Sequence, residues 1–292
     1  MVVAARVEEP VLSRRWGFAP GEEIVPGRFA LKLLGGGHRY EAYVCWDGRL
    51  HTTVVAKLLR PNLVGDVRAH ALLRAEADAL GRLQHPVLVR TFGAVLEAPH
   101  PHLVLEHLEG PRLSTLVRRF GPLAAEQIVP LAFRMVSALA YLHAEGWLHL
   151  DVKPRNIVVT ASPRLIDLSV ARPIDAAKRI QRPVGTDAYM APEQCDPDRY
   201  GAIGPASDVW GLGATLYEAL TGRLAYESDG VDHYPQLRRE PPLMPAKAPP
   251  ALAAAIGACL ADDPARRPTA AELGELLEPV ADWSARAVRR LR

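Results

Sequence analysis

The balance of this 292-residue chain shifts from strand-rich to helix-rich near Gly110, and that shift limits the folds open to it. Ahead of it, Phe29–Leu34, Glu41–Trp46 and Thr53–Leu59 are short β-prone runs separated by glycine or Asp-Gly, the punctuation of hairpins. Val67–Leu83 then sets Leu72, Leu73, Ala75, Ala79, Leu80 and Leu83 at helical spacing, and Pro101–His107 returns to a buried strand. Behind the change, Ala124–Ala144, Ser207–Leu220 and Pro250–Leu260 carry apolar residues at helical intervals. Glu240–Pro250, with five prolines in eleven positions, can continue neither a helix nor a central strand and reads as an ordered loop. The expectation is an α+β chain: a small antiparallel sheet with one main helix, followed by a larger, mainly α-helical part.

Composition removes several classes of function. With 49% hydrophobic and 23% charged residues and a net charge of +2, the chain can bury a core and has no basic excess aimed at nucleic acid. No window approaches the roughly 18–20 apolar residues of a membrane span, so no transmembrane anchor is expected; Ala251–Ala261 reads as a buried helix. Met1–Trp16 lacks the apolar core of a signal peptide. Cys45, Cys195 and Cys259 are odd in number and show no C-x-x-C spacing, which argues against a disulfide framework or a zinc site and for a reducing, cytoplasmic setting. The arginines of Ala281–Arg292 read as a solvated helix end, and His100-Pro101-His102 as exposed turn residues with no zinc.

Leu34-Gly35-Gly36-Gly37-His38-Arg39-Tyr40 joins two expected strands. Glycines there let the backbone approach a ligand and offer N–H groups to phosphate oxygens, although three glycines at a hairpin are also simply a tight turn. Val54-Val55-Ala56-Lys57 on the third strand and Glu76 on the following helix shift the balance. A strand lysine paired with a helix glutamate fixes an ammonium where phosphate oxygens can meet it. His38 and Glu41 read as solvated.

The most informative stretch is His149-Leu150-Asp151-Val152-Lys153-Pro154-Arg155-Asn156, followed by Asp167-Leu168-Ser169. These resemble the catalytic loop and metal-binding turn of eukaryotic-type (Hanks-type) serine/threonine protein kinases of the bacterial kind, and the resemblance runs from about Gly27 to Leu277. It implies the bilobal kinase fold, ATP and Mg2+ as cofactors, and a protein substrate with a Ser/Thr acceptor. It implies Asp151 as the carboxylate that takes the hydroxyl proton, Lys153 beside the transferred phosphoryl group, and Asn156 and Asp167 as magnesium ligands. A lysine two residues after the aspartate resembles the serine/threonine branch. For ATP the resemblance implies Leu34, Gly35, Gly36, Gly37, Ala42, Ala56, Lys57, Glu76 and Val158, with backbone contacts at a hinge of Glu106, His107 and Leu108 behind Leu105. Gly185-Thr186-Asp187-Ala188-Tyr189-Met190-Ala191-Pro192-Glu193 resembles the end of an activation loop; Glu193 is expected to pair with Arg267, and Asp208 to accept bonds from the catalytic-loop backbone. Read alone, Ser207-Asp208 is a helix N-cap. The implied organisation is an N-terminal extension (1–26), a kinase domain (27–280; N-lobe about 27–106, hinge about 106–110, C-lobe about 111–280) and a short basic tail (281–292).

The chain departs from the family pattern in four places. Leu150 stands where an arginine usually meets an activation-loop phosphate, and Val170–Gly185 contains no serine, threonine or tyrosine, so no phosphorylation switch is expected within it. Asp-Leu-Ser replaces Asp-Phe-Gly. Tyr40 and Ala42 replace the third glycine and a valine. No residue that directly carries charge to ATP, metal or acceptor is lost, which favours an active enzyme over a pseudokinase acting as an ATP-binding or scaffold module. The Ala191-Pro192-Glu193 segment and the Ser207–Gly211 helix start argue against a small-molecule kinase. Substrate identity and oligomeric state are not encoded in one chain.

Overall fold

The computed structural model describes residues 15–97, 99–228, 230, 233–240 and 243–290, the last ten as backbone alone. Residues 1–14 of the expected extension, and residues 291 and 292 of the expected tail, lie outside the described residues. The chain divides into two compact units, one running to Arg82 and resuming over Arg90–His107, the other comprising Leu83–Val89 and the residues from Leu108 onward.

The first unit is a six-stranded antiparallel sheet with one long helix. Its strands are β1 (Glu23–Val25), β2 (Arg28–Gly36), β3 (Tyr40–Asp47), β4 (Thr52–Leu59), β5 (Thr91–Val95) and β6 (His102–Glu106), in the order β1-β2-β3-β4-β6-β5, with helix α1 (Val67–Arg82) between β4 and β5 in sequence. β1 lies ahead of the boundary read at Gly27 and pairs with β2; neither β1 nor β5 was expected. Alternation sorts β3 and β4 between two faces. Tyr43, Cys45, Val54, Ala56 and Leu58 are buried together on one, where Trp16, Phe18 and Val25 cover them. Ala42 pairs with Lys57, and Lys57 with Leu103, on the other.

The second unit is helical. It contains α2 (Leu113–Phe120), α3 (Ala125–Ala144), the short strands β7 (Trp147–Leu148), β8 (Ile157–Val158), β9 (Arg164–Leu165) and β10 (Arg172–Pro173), the short helices α4 (Ile174–Ala177), α5 (Pro192–Cys195) and α6 (Pro197–Tyr200), then α7 (Pro205–Thr221), α8 (Pro250–Cys259) and α9 (Ala270–Arg290). α3 packs against α7 and α9, and Met135, Leu139, Leu142, Leu212, Leu216, Leu273 and Leu277 on these helices are all buried; each such side chain contributes roughly 1.5–3 kcal/mol on burial. α7 starts at Pro205, a residue suited to a first turn, and stops at left-handed Gly222, whose N–H bonds the Glu218 carbonyl. The N-cap of α7 is Gly204; Ser207 sits inside the first turn, accepting from the Gly204 N–H, so the N-cap reading of Ser207-Asp208 is corrected by one turn. The described residues of 240–249 form no helix or strand, and Pro250 opens α8. Among the described residues no helix is long and apolar enough to cross a membrane.

Two small antiparallel ladders matter for the site. β7 pairs with β10, and β8 with β9, so the irregular stretch 149–156 is tied down on both sides by backbone ladders.

Candidate active site

In the first unit the glycine turn leaves the end of β2 and re-enters at β3. Gly35 has φ +132°, a conformation closed to L side chains, and a Cβ on Gly36 would lie 2.5 Å from the Tyr40 carbonyl oxygen. Gly37 carries neither constraint. Gly35, Ala42 and Lys57 are successive cross-strand neighbours. The Lys57 ammonium donates to both carboxylate oxygens of Glu76, at 2.7 and 2.9 Å, with the side chains 12% and 1% exposed. The Tyr40 ring, at the position of the third glycine, lies 4.6 Å from that ammonium, a distance at which the ring face attracts a cation.

Three expectations need correction here. Ala56 faces away from Lys57, since adjacent strand residues point to opposite faces, and is buried with Tyr43 and Val104; Val55, paired with Val44 and Leu105, shares the Lys57 face. Glu41 is 1% exposed and ion-paired with Arg60, not solvated; His38 is exposed as read. His102 is fully buried in β6, not in an exposed turn. Its Nδ1 donates to the His100 carbonyl and its Nε2 accepts from Arg28, so the ring is neutral, and burial holds its pKa down at about 4. Leu34, Gly35 and Gly36 end β2 and Gly37 opens the turn, Glu106 binds the Arg90 backbone N–H through Oε1, and Leu108 and Val158 belong to the second unit.

In the second unit the residues expected to form a catalytic loop converge. Asp151 Oδ2 accepts from Lys153 Nζ at 2.6 Å and from Asn156 Nδ2 at 3.1 Å. Its Oδ1 accepts from Thr186 Oγ1 at 2.7 Å, and Lys153 also donates to that hydroxyl oxygen at 2.6 Å. The loop is shaped from beneath by Asp208, fully buried, which accepts from the N–H groups of His149 and Leu150 and contacts His143 Nε2 at 3.0 Å. Burial alone raises the Asp208 carboxyl, but these bonds outweigh it and hold the pKa below its ordinary value. Asp167 has left-handed backbone, φ +72°, and Ser169 N–H reaches its Oδ1 at 3.4 Å. Ser169 has no positive φ, so serine stands there without backbone strain, and Leu168 is buried. Thr186 was not singled out from sequence for this contact with Asp151; a hydroxyl directly after a glycine, in a segment expected to receive substrate, was the available signal.

The segment after Asp167 is held by apolar packing. Leu150, φ +63° and 3% exposed, is buried with Leu148, Ala177 and Ile203, and Val170, Ile174, Ile180 and Val184 pack against them. Gln194, unremarked in the sequence, donates through Nε2 to the carbonyls of Leu150 and Val184 at 3.0 and 2.8 Å. Glu193 and Arg267 form the expected bidentate pair at 2.7 and 3.0 Å, buried on both sides, and Ser207 adds a third bond to Glu193. The three cysteines are buried free thiols, pushed up to about 11 or 12 by burial and so inert as nucleophiles.

For a divalent cation, the Asp167 carboxylate and the Asn156 amide oxygen are hard oxygen donors, and Asn156 is oriented through its nitrogen, which donates to the Asp151 carbonyl and carboxylate. Among the described residues no three His, Cys, Asp or Glu side chains cluster as a cage.

The family model described as a protein kinase domain matches residues 30–276. The chain is 36% identical over 264 residues to the probable serine/threonine-protein kinase PkwA of Thermomonospora curvata, covering 87% of this chain and 34% of that protein. It is 32% identical over 258 residues to the serine/threonine-protein kinase PknB of Mycobacterium tuberculosis, covering 83% and 41%. It is 34% identical over 249 residues to the serine/threonine-protein kinase PknD of the same species, covering 81% and 37%. The chain thus spans about a third to two fifths of the length of these relatives.

Proposed function

The chain belongs to the protein kinase family, and from that premise we propose that it transfers the γ-phosphoryl group of ATP to serine or threonine hydroxyls of a protein. The observation that carries this reading is the junction of Asp151, Lys153, Asn156 and Thr186 on one carboxylate. Asp151 orients the acceptor hydroxyl and takes its proton as the oxygen bonds to the γ-phosphorus and the bond to the departing ADP oxygen breaks. Lys153, already beside that carboxylate, offsets the negative charge on the moving phosphoryl group. Lys57, fixed by Glu76, would meet phosphate oxygens, and the backbone of Gly35 to Gly37 would offer N–H donors; within the first unit Val55, which shares the Lys57 face, would meet adenine rather than Ala56. Asn156 and Asp167 would hold Mg2+. When bound, the ion neutralises charge on the phosphate oxygens.

The activation segment needs no phosphate in this reading. Leu150 cannot bind one, and the apolar cluster around it, with Gln194, holds Val184 against the catalytic loop. Three buried thiols suit work in a reducing cytoplasm.

The test is transfer from labelled ATP with magnesium to a generic basic protein, beside Asp151→Ala and Asp167→Ala. Wild type is expected to transfer phosphate and both variants to lose at least about a hundredfold, roughly 2.7 kcal/mol of barrier. A wild type no faster than the folded variants replaces this reading with that of an ATP-binding scaffold. Mass spectrometry on protein incubated with ATP addresses regulation: a stoichiometric phosphate on Ser169 or Thr186 that activity requires would refute a phosphate-free segment.

A further inference from the structure

The residues around the glycine turn divide between the faces of the sheet. Lys57, Ala42 and Tyr40 share one, while Glu41, Tyr43, Leu58 and Arg60 follow the alternation of the other. On that second face Arg60, just past the end of β4, reaches into the turn. Its Nε donates to the Gly37 carbonyl at 2.6 Å, NH1 to Glu41 Oε1 at 3.0 Å, and its backbone N–H to the Arg39 carbonyl at 2.9 Å. The Arg60 and Glu41 side chains are 6% and 2% exposed. Gly36 closes over them: a Cβ there would sit 3.2 Å from Arg60 NH2. A glycine run that could flex freely is therefore bonded at Gly37, which by its own geometry needs no restraint.

The staple extends to the N-terminal segment. Glu41 Oε2 accepts from the Trp16 N–H at 3.1 Å and from Tyr43 Oη at 3.3 Å, and the Trp16 indole N–H donates to the Leu59 carbonyl, next to Arg60, at 2.7 Å. Trp16 stacks on Phe18, whose ring meets Tyr43 edge-on. Trp16 thus supplies one of the donors of the carboxylate that holds Arg60 and binds the strand end from which Arg60 projects. A desolvated, multiply bonded pair is strong and directional.

We propose that Arg60 is a positioning residue for the nucleotide turn and that the docked Trp16 segment sets ATP affinity by completing the Glu41–Arg60 pair. The proposal rests on the reading of Gly35 to Gly37 as the phosphate-binding turn. A turn held in shape before binding loses less freedom when ATP arrives, an advantage shared by ground and transition states, so it appears in KM and Kd and not in kcat.

The experiment uses the full chain with a fluorescent ATP analogue for Kd and protein phosphorylation for kcat and KM. Arg60→Gln is expected to raise Kd and the KM for ATP about tenfold with kcat within about twofold. Trp16→Ala is expected to raise both about threefold to fivefold, and Trp16→Phe, which keeps the ring stack but loses the indole donor, less. Folded Arg60→Gln and Trp16→Ala proteins that bind the analogue as wild type does overturn the proposal, as does a loss confined to kcat. Should Arg60→Gln fail to fold, the two Trp16 variants decide. A wild type that binds no nucleotide overturns the reading of the turn itself, and with it this one.

Discussion

Two stretches of this protein are shaped for chemistry by opposite means. The glycine turn of the first unit is held by charge: Arg60 and Glu41, buried on the sheet's far face, bond to its backbone, and Lys57 is fixed by Glu76. In the second unit the stretch 170–184, ahead of the Thr186 bonds to Asp151 and Lys153, is held by neutral groups, an apolar cluster around Leu150 and the Gln194 amide. The difference follows from what surrounds each. A strand ladder fixes residues 40–47 and 52–59 whatever the side chains do, so charges on β3 and at the end of β4 meet in register and can be desolvated together. Residues 174–189 lack strand pairing, and an irregular backbone keeps one shape only where side chains bury its carbonyls and fill the space beneath it.

The sharpest way to break the comparison is to put charge where the neutral lock is. Leu150→Arg restores the residue usual in the family, but its guanidinium would enter a cluster of Leu148, Ala177, Ile203 and Val184. The expected result is destabilisation of about 3 kcal/mol or more, with activity lost and not regained by phosphorylation. Urea unfolding and the phosphotransfer assay check it; a Leu150→Arg variant of wild-type stability would mean that the cluster does not hold the segment.

A smaller effect isolates the amide. Gln194→Ala leaves the Leu150 and Val184 carbonyls without their donor, at about 1–3 kcal/mol for buried polar groups left unpaired. The loss should be local. Lys178, Arg179 and Arg182 are exposed on the segment that Gln194 ties down, so limited trypsin digestion should cut there several times faster, by an opening free energy lowered about 1 kcal/mol or more. Unchanged cleavage would leave the apolar cluster as the sole restraint.

Much of this was legible because the residues carry it at fixed separations. The Lys57–Glu76 pair, the meeting of Asp151 with Lys153 and Asn156, the Asp208 bonds to the loop and the Glu193–Arg267 pair all stand where the motifs imply. The strands and helices that were read agree to within a residue or two, since their periodicity is strong; β1 and β5 were missed, the one being three residues long and the other interrupted by Gly93, and so were α2 and the 21-residue α9. The Ala56 error was avoidable: a period of two forbids it from sharing a face with Lys57. So was Glu41, which alternates with Tyr43 and Cys45 on a buried face. What neither a local pattern nor a motif could give is partnership between distant residues that belong to no shared motif. Trp16 with Glu41, Gln194 with Leu150, and His102 with Arg28 are 25, 44 and 74 residues apart, and each is decided by tertiary packing alone.

His102 supplies the mildest test of the contrast between charge-held and neutral regions. Its folded pKa of about 4 lies below the ordinary 6.5, chiefly because burial penalises the cation and secondarily because Arg28 sits against Nε2. Below pH 6.5 the unfolded chain therefore takes up a proton that the folded ring refuses, so this contribution to stability is complete above about 6.5 and is lost as pH falls toward 4. At one unit below the unfolded value the loss is about 1 kcal/mol. His102→Gln keeps an acceptor for Arg28 and a donor for the His100 carbonyl but does not titrate. Between about pH 7.5 and about pH 5.5, its stability in urea unfolding should fall by about 1 kcal/mol less than that of wild type. Parallel curves for the two proteins would mean that the ring is protonated in the folded state, and the neutral tautomer assigned from its two bonds would be wrong.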